Sequence, residues 1–149
     1  MKKIICSACL LGVKCRYDGK IKPNKKVLKL SKTTFLIPVC PEQLGGQSTP
    51  RPNAEIVGGE GKDVLQGRAK VIEFNGQNVT RHFINGAKEV LKLARRLEIK
   101  EAILKQGSPS CGCGLTYDGS FTDRKIKGDG VTVALLKKNK IKVIPDDEL

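Results

Sequence analysis

The sequence has no tryptophan, two tyrosines, four phenylalanines, one histidine and one methionine among its 149 residues. So few aromatics exclude a core built on large rings, and Val, Ile, Leu and Ala must fill it. No apolar run approaches the roughly 20 residues of a membrane-spanning helix. Met1-Lys2-Lys3 is followed only by Ile4 and Ile5 before Cys6 and Ser7, far short of the roughly 7–15 apolar residues of a signal peptide. The expectation is a cytoplasmic protein with no membrane association. No GxGxxG or Walker pattern occurs, which argues against nucleotide-triphosphate hydrolysis. The one histidine, His82 beside Phe83, reads as a surface or capping side chain, so there is no Cys–His pair for cysteine-nucleophile chemistry. There is no internal repeat and no domain boundary, and residues 1–149 are expected to form one domain.

Two residue types are abundant. Lysine and arginine number 28 against 15 acidic residues, a formal charge of +13. Such a balance favours anionic partners, but the lysines are spread along the chain without an arginine-rich tail. A solvated Lys-rich surface therefore weighs above a dedicated nucleic-acid groove, and a phosphate-bearing small substrate stays open. Cysteine numbers six. In a reducing compartment such cysteines point to metal binding or catalysis rather than to disulfides.

Periodicity gives the frame. Lys2 to Cys6 reads as a strand and Asn24 to Ser31 as a short helix with Asn24 as N-cap. Phe35 to Val39 reads as a second strand. Residues 45–67 show no clear period. Ala69 to Phe74 alternates and is followed by Asn75-Gly76, which suggests a small β excursion closed by a hairpin-type turn. Thr80 to Leu97 has apolar residues at three- and four-residue steps, the pattern of a long amphipathic helix. Glu101 to Leu104 is a further strand. Residues 117–129 are polar and Gly-rich, 130–138 are helical, and Lys140 to Ile144 is a last strand. This alternation predicts an α/β fold, a mostly parallel sheet with flanking helices in a Rossmann-like three-layer arrangement.

Three of the strands run into loops that combine cysteine with glycine: Cys6-Ser7-Ala8-Cys9-Leu10-Leu11-Gly12, Cys40-Pro41-Glu42-Gln43-Leu44-Gly45-Gly46 and Gly107-Ser108-Pro109-Ser110-Cys111-Gly112-Cys113-Gly114. In an open α/β sheet, sites form beyond the carboxyl ends of the strands. Parallel neighbours would bring Cys9, Cys40 and Cys111 to one edge. Zinc sites with four cysteines usually use paired C-x-x-C knuckles; Cys6-x-x-Cys9 is one, but Cys111-x-Cys113 has the wrong spacing. An iron–sulfur cluster accepts thiolates from scattered loops, and a Cys6/Cys9 thiol redox pair is a further option.

Several blocks resemble the signatures of a bacterial and archaeal family typified by thiouracil desulfurase, long known as a domain of unknown function. They are Ser7-Ala8-Cys9-Leu10-Leu11-Gly12, Cys15-Arg16-Tyr17-Asp18-Gly19, Pro38 to Gly46, Thr49-Pro50-Arg51 and Lys105 to Gly112. The resemblance spans nearly the whole chain. It implies a [4Fe-4S] cluster held by Cys9, Cys40 and Cys111, with Cys15 an alternative to Cys9, and an iron left open to the sulfur of a thiocarbonyl. It implies desulfuration of a thiolated pyrimidine, 4-thiouracil or a thiouridine nucleotide, with water replacing sulfur and hydrosulfide leaving. Glu42 matches the acid expected to activate water, and Ser108 the serine expected to assist proton transfer. Arg16 and Arg51 are candidates for binding a substrate phosphate. The expected partners are a small thiolated nucleobase or nucleotide, or thiolated RNA, with no obligate protein partner. The competing functions are a metal- or cluster-stabilised RNA-binding module without catalysis, and a thiol redox protein.

Overall fold

A computed structural model describes residues 1–149. Four strands, β1 (Lys3–Ser7), β2 (Phe35–Val39), β5 (Glu101–Leu104) and β8 (Lys142–Pro145), form one sheet in the order β2-β1-β5-β8. Every neighbouring pair is parallel, with Ile5 opposite both Ile37 and Ala102, and Ile103 opposite Ile144. The inner strands β1 and β5 are covered on both faces, which explains why they read as continuous apolar runs rather than as alternating ones.

Successive side chains enter different layers. Ile5, Ala102 and Leu104 pack against α4 (Thr80–Arg96) and α5 (Val131–Lys138). Ile4, Cys6 and Ile103 point the other way, toward Leu10 and toward Val27 of α1 (Lys25–Leu30). The result is the expected three-layer α/β arrangement. Asn24 caps α1 as its side chain accepts the backbone N–H groups of Lys26 at 2.9 Å and Val27 at 3.2 Å. On α4 the buried residues Phe83, Ala87, Val90, Leu91 and Ala94 follow the helical period. Burying a side chain such as Phe83 contributes about 1.5–3 kcal/mol.

Residues 45–67, which show no sequence period, follow directly on α2 (Pro41–Leu44) and contain two elements, β3 (Ala54–Val57) and α3 (Gly61–Leu65). β3 pairs antiparallel with β4 (Lys70–Glu73), so the β excursion is a separate two-stranded sheet. Asn75-Gly76 turns the chain back, and Asn78 bridges to Ile72. Phe83, Ala87 and Val131 join Ile56, Val64 and Val71 in a second core beneath this sheet. The polar stretch after Cys113 is also more ordered than its composition suggests. It forms the hairpin β6 (Leu115–Tyr117) and β7 (Lys125–Lys127). The last strand begins at Lys142 rather than Lys140, because Lys140 sits in the left-handed region at φ 62°. No helix is long and apolar enough to cross a membrane.

Candidate active site

The carboxyl ends of β1, β2 and β5 open onto one cavity of about 470 Å³. Three loops feed it. After β1 the chain winds into a short 3-10 turn, Ala8–Leu11, stopped by Gly12 at φ 88°. Cys9 stands on that turn and Cys15 follows it. After β2, Cys40 is the N-cap of α2, with Pro41 as its first residue and Glu42 in its first turn. Pro is suited to that position because the first helical N–H has no intrahelical partner. After β5, residues 105–113 form the third loop.

Cys9, Cys15, Cys40 and Cys111 all line the cavity, together with Glu42, Ser108, Arg16 and Arg51. The structure therefore brings together every candidate site residue of the sequence. Cys6 and Cys113 do not line it. Cys6 is fully buried in the α1 layer; burial first, and then the nearby Cys9, push its thiol up to about 12. A thiol so placed is a poor nucleophile, and Cys6/Cys9 does not form an exposed redox pair. All six cysteines are free thiols. His82 is off the cavity too, with Nδ1 2.8 Å from Gly45 O.

Cys15 lies between two of the other thiols. The neighbouring Cys40 and Cys9 thiols, in that order, and then burial push its own thiol far above the ordinary range, and Cys40 Sγ donates to the Cys15 carbonyl at 3.7 Å. The bond from Cys15 lowers Cys9 against the cost of burial. Cys40 is brought down to about 7, first by Cys15 and, after burial opposes it, by the Gln43 backbone N–H. Burial drives Cys111 well up, with a hydrogen bond from Ser7 acting against it. No three His, Cys, Asp or Glu side chains are gathered tightly enough to hold a single metal ion. A mononuclear zinc site needs its sulfurs about 2.3 Å from one point. Free thiols supplied to one cavity from separate loops suit a multi-iron cluster better.

The scaffolding of the third loop escaped the sequence reading. Gln106 clamps it: Oε1 accepts the N–H groups of Cys113 at 2.7 Å and Gly107 at 3.1 Å, while Nε2 donates to Cys113 O at 2.8 Å. Ser7, at the end of β1, accepts the Lys105 N–H at 2.9 Å and so ties the first loop to the third. Ser7 opens one of the blocks that carry the family resemblance, but its bond to Lys105, 98 positions away, comes only with folding. Ser108 Oγ accepts the N–H groups of Ser110 and Cys111.

The second loop is held by contact between backbones. A Cβ on Gly86 of α4 would fall 1.9 Å from Pro41 O, and one on Gly45 would fall 2.0 Å from His82 O. Real atoms do not approach so closely, so α2 can dock on α4 only with glycine at both places. Arg51 departs from the expected role. Its guanidinium is buried and bonded to Glu42, Cys15 O, Ser48 O and Thr49 Oγ1, so it faces protein acceptors rather than a substrate phosphate. Arg16 makes only long contacts to Asp18, 3.4 and 3.5 Å, and keeps donors free on the cavity. Lys22, Lys105 and Lys125 add further positive charge to the lining, offset by Asp123 and Asp147.

A family model described as 2-thiouracil desulfurase matches residues 4–148. The chain belongs to this family. It is 46% identical over 146 residues to the uncharacterized protein YbbK of Bacillus subtilis (strain 168), covering 98% of this chain and 97% of that one. Among solved structures it is similar to a [4Fe-4S]-dependent thiouracil desulfidase, TudS, with a TM-score of 0.81 and 38% identity, over 100% of this chain and 93% of the other. The family resemblance carried by the cysteine-bearing blocks is thus borne out, as is the α/β fold predicted from the alternation of strands and helices.

Proposed function

We infer that the chain is a [4Fe-4S]-dependent desulfurase that converts a thiolated pyrimidine, such as 4-thiouracil or a thiouridine nucleotide, to the oxo form. One water is consumed, and sulfur leaves as hydrosulfide with a proton. The observation that carries this reading is the meeting of four thiols with the Glu42 carboxylate and the Ser108 hydroxyl in a single cavity at the carboxyl edge of the sheet.

Cys9, Cys40 and Cys111 are the residues that would hold the cluster, one from each loop. Cys15 supports the ligand loops rather than replacing Cys9: its carbonyl accepts from Cys40 Sγ at 3.7 Å and from Arg51 Nη2 at 2.9 Å. When bound, a cluster with one iron free of protein ligands supplies a soft Lewis acid matched to sulfur. The rest of the chemistry falls to side chains. Glu42 accepts a proton from the attacking water. Ser108 receives two backbone N–H bonds, so its own proton is free to be donated toward the substrate. Arg16, with Lys22 and Lys125, offers cations to a phosphate on the substrate.

The test is anaerobic reconstitution with iron and sulfide, followed by incubation with 2-thiouracil, 4-thiouracil, 4-thiouridine monophosphate and thiolated tRNA. Hydrosulfide and the oxo product should appear in equal amounts from at least one of them. Stable iron loading with no hydrosulfide from any would sink the catalytic reading and favour a cluster-stabilised RNA-binding module, to be tested by the salt dependence of RNA binding.

A further inference from the structure

Arg51 is the most fully engaged side chain of the cavity. A guanidinium has five N–H donors, and here each meets a protein acceptor. Nε donates to Glu42 Oε2 at 2.9 Å, and Nη2 donates to the same oxygen. Nη2 also donates to Cys15 O at 2.9 Å. Nη1 donates to Ser48 O at 3.2 Å and to Thr49 Oγ1 at 3.0 Å. The Arg51 backbone N–H donates to Tyr17 O at 2.8 Å. The side chain is 5% exposed, so its charge is tolerated only because Glu42 neutralises it.

Glu42 is held asymmetrically. Both bonds from Arg51 fall on Oε2, and no protein group donates to Oε1. The Glu42 side chain is 16% exposed and lines the cavity. A carboxylate gripped at one oxygen and open at the other presents one acceptor in a fixed direction. That is what orienting a water molecule requires.

We propose that Arg51 is a positioning residue for the Glu42 carboxylate. It holds Oε2, ties it to the Cys15 carbonyl and the 48–49 turn, and leaves Oε1 as the oxygen that meets the attacking water. This rests on the desulfurase reading, in which Glu42 handles that water. It also explains why a cationic side chain beside the cavity has no donor left for a substrate anion.

The experiment compares wild type, Arg51→Lys, Glu42→Gln and the double variant. Each is reconstituted anaerobically, and iron per chain, kcat and KM for hydrosulfide release are measured, with urea midpoints of the cluster-free forms. All four should load the same iron. Arg51→Lys should lower kcat about 10- to 100-fold, with KM unchanged within about 2-fold. Added to Glu42→Gln, it should lower kcat by less than about 3-fold more, because a residue acting through another has little further to lose. A raised KM with kcat kept would mean that Arg51 serves the substrate, and overturns the proposal. So do fully multiplicative losses in the double variant.

Should Arg51→Lys not fold, Thr49→Val removes one acceptor from Nη1 and leaves the ion pair. It should give the same pattern at a smaller loss, and unchanged kcat there counts against the proposal. If the wild type releases no hydrosulfide from any thiolated pyrimidine, the desulfurase reading fails by itself. The urea midpoints then decide the clamp: non-additive shifts in the double variant keep it, and additive shifts remove it.

Discussion

Ser108 Oγ accepts the backbone N–H of Cys111 at 2.7 Å. The same oxygen accepts Ser110 N–H at 3.2 Å. One hydroxyl thus shapes the turn that presents Cys111 and also keeps a proton to give. Ser108→Ala removes both functions and should lower hydrosulfide release about 100-fold or more. Ser108→Asp keeps an acceptor for the turn but no proton at neutral pH. If the two roles are separate, this variant retains iron while losing activity, as measured by iron analysis beside product assay.

The docking of α2 on α4 makes a sharper structural prediction. Gly86→Ala places a methyl group where Pro41 O stands. Overpacking of this kind costs about 1–3 kcal/mol, and the helix carrying Glu42 must move. A lower urea midpoint with a still larger fall in turnover is expected. Alanine at Gly67, where an added Cβ meets nothing but φ is 78°, should cost stability and leave turnover intact.

The six thiols should divide by iron content. Cys9→Ser, Cys40→Ser and Cys111→Ser should each lose most of the roughly four irons per chain of a full cluster. Cys6→Ser and Cys113→Ser, whose positions lie off the cavity, should keep them. Cys15→Ser retains a donor between Cys9 and Cys40 and should load iron, whereas Cys15→Ala should load it less stably. Visible absorbance after reconstitution, followed during exposure to a chelator, reads this order.

The cap of α1 should act on stability alone. Asn24→Ala removes two bonds to backbone N–H groups and should cost about 1 kcal/mol. The turnover of the folded variant should match wild type, since Asn24 does not line the cavity and the bond from its backbone N–H to Leu10 O, 2.9 Å, which ties α1 to the first loop, does not involve its side chain.

Asp63 supplies a pH-dependent term. Its carboxylate accepts the Glu60 N–H at 2.9 Å and Arg68 Nη2 at 2.8 Å; these, in that order, hold its pKa below the ordinary 3.8. A depressed folded-state pKa contributes stability that is present above the unfolded value and lost as pH falls through the folded one. The gap in urea midpoint between wild type and Asp63→Asn should therefore stay level from about pH 7 to pH 5 and narrow below about pH 3.8. A gap that widened toward acid would contradict the sign.

The parts of the fold legible in the sequence are those set by local pattern. β1, β2 and β5 show as short apolar runs, and α4 as a long amphipathic period. β3 was hidden because Glu55 interrupts its apolar residues. That buried acid is satisfied by the N–H groups of Gly119 and Phe121, 64 and 66 positions away. α3, at five residues, is too short to show a period. The site divides the same way. Cysteine and glycine at strand ends marked the three loops, and adjacency of β2, β1 and β5 follows from parallel-sheet logic. Arg51 was legible as a cation but not as a clamp, since Glu42, Cys15 and Ser48 come from separate segments. The position of Cys15 between Cys9 and Cys40 is likewise a product of folding, not of spacing.

The strand order has a consequence for synthesis. β1 and β2 emerge early and can pair, but β5 is the strand that carries Cys111 into the sheet beside β1. A nascent chain released only as far as α4 holds Cys9, Cys15 and Cys40 but lacks the third loop. Metal delivery to the complete set of thiols must therefore follow translation of the last third of the chain, and iron offered earlier meets an unfinished cavity.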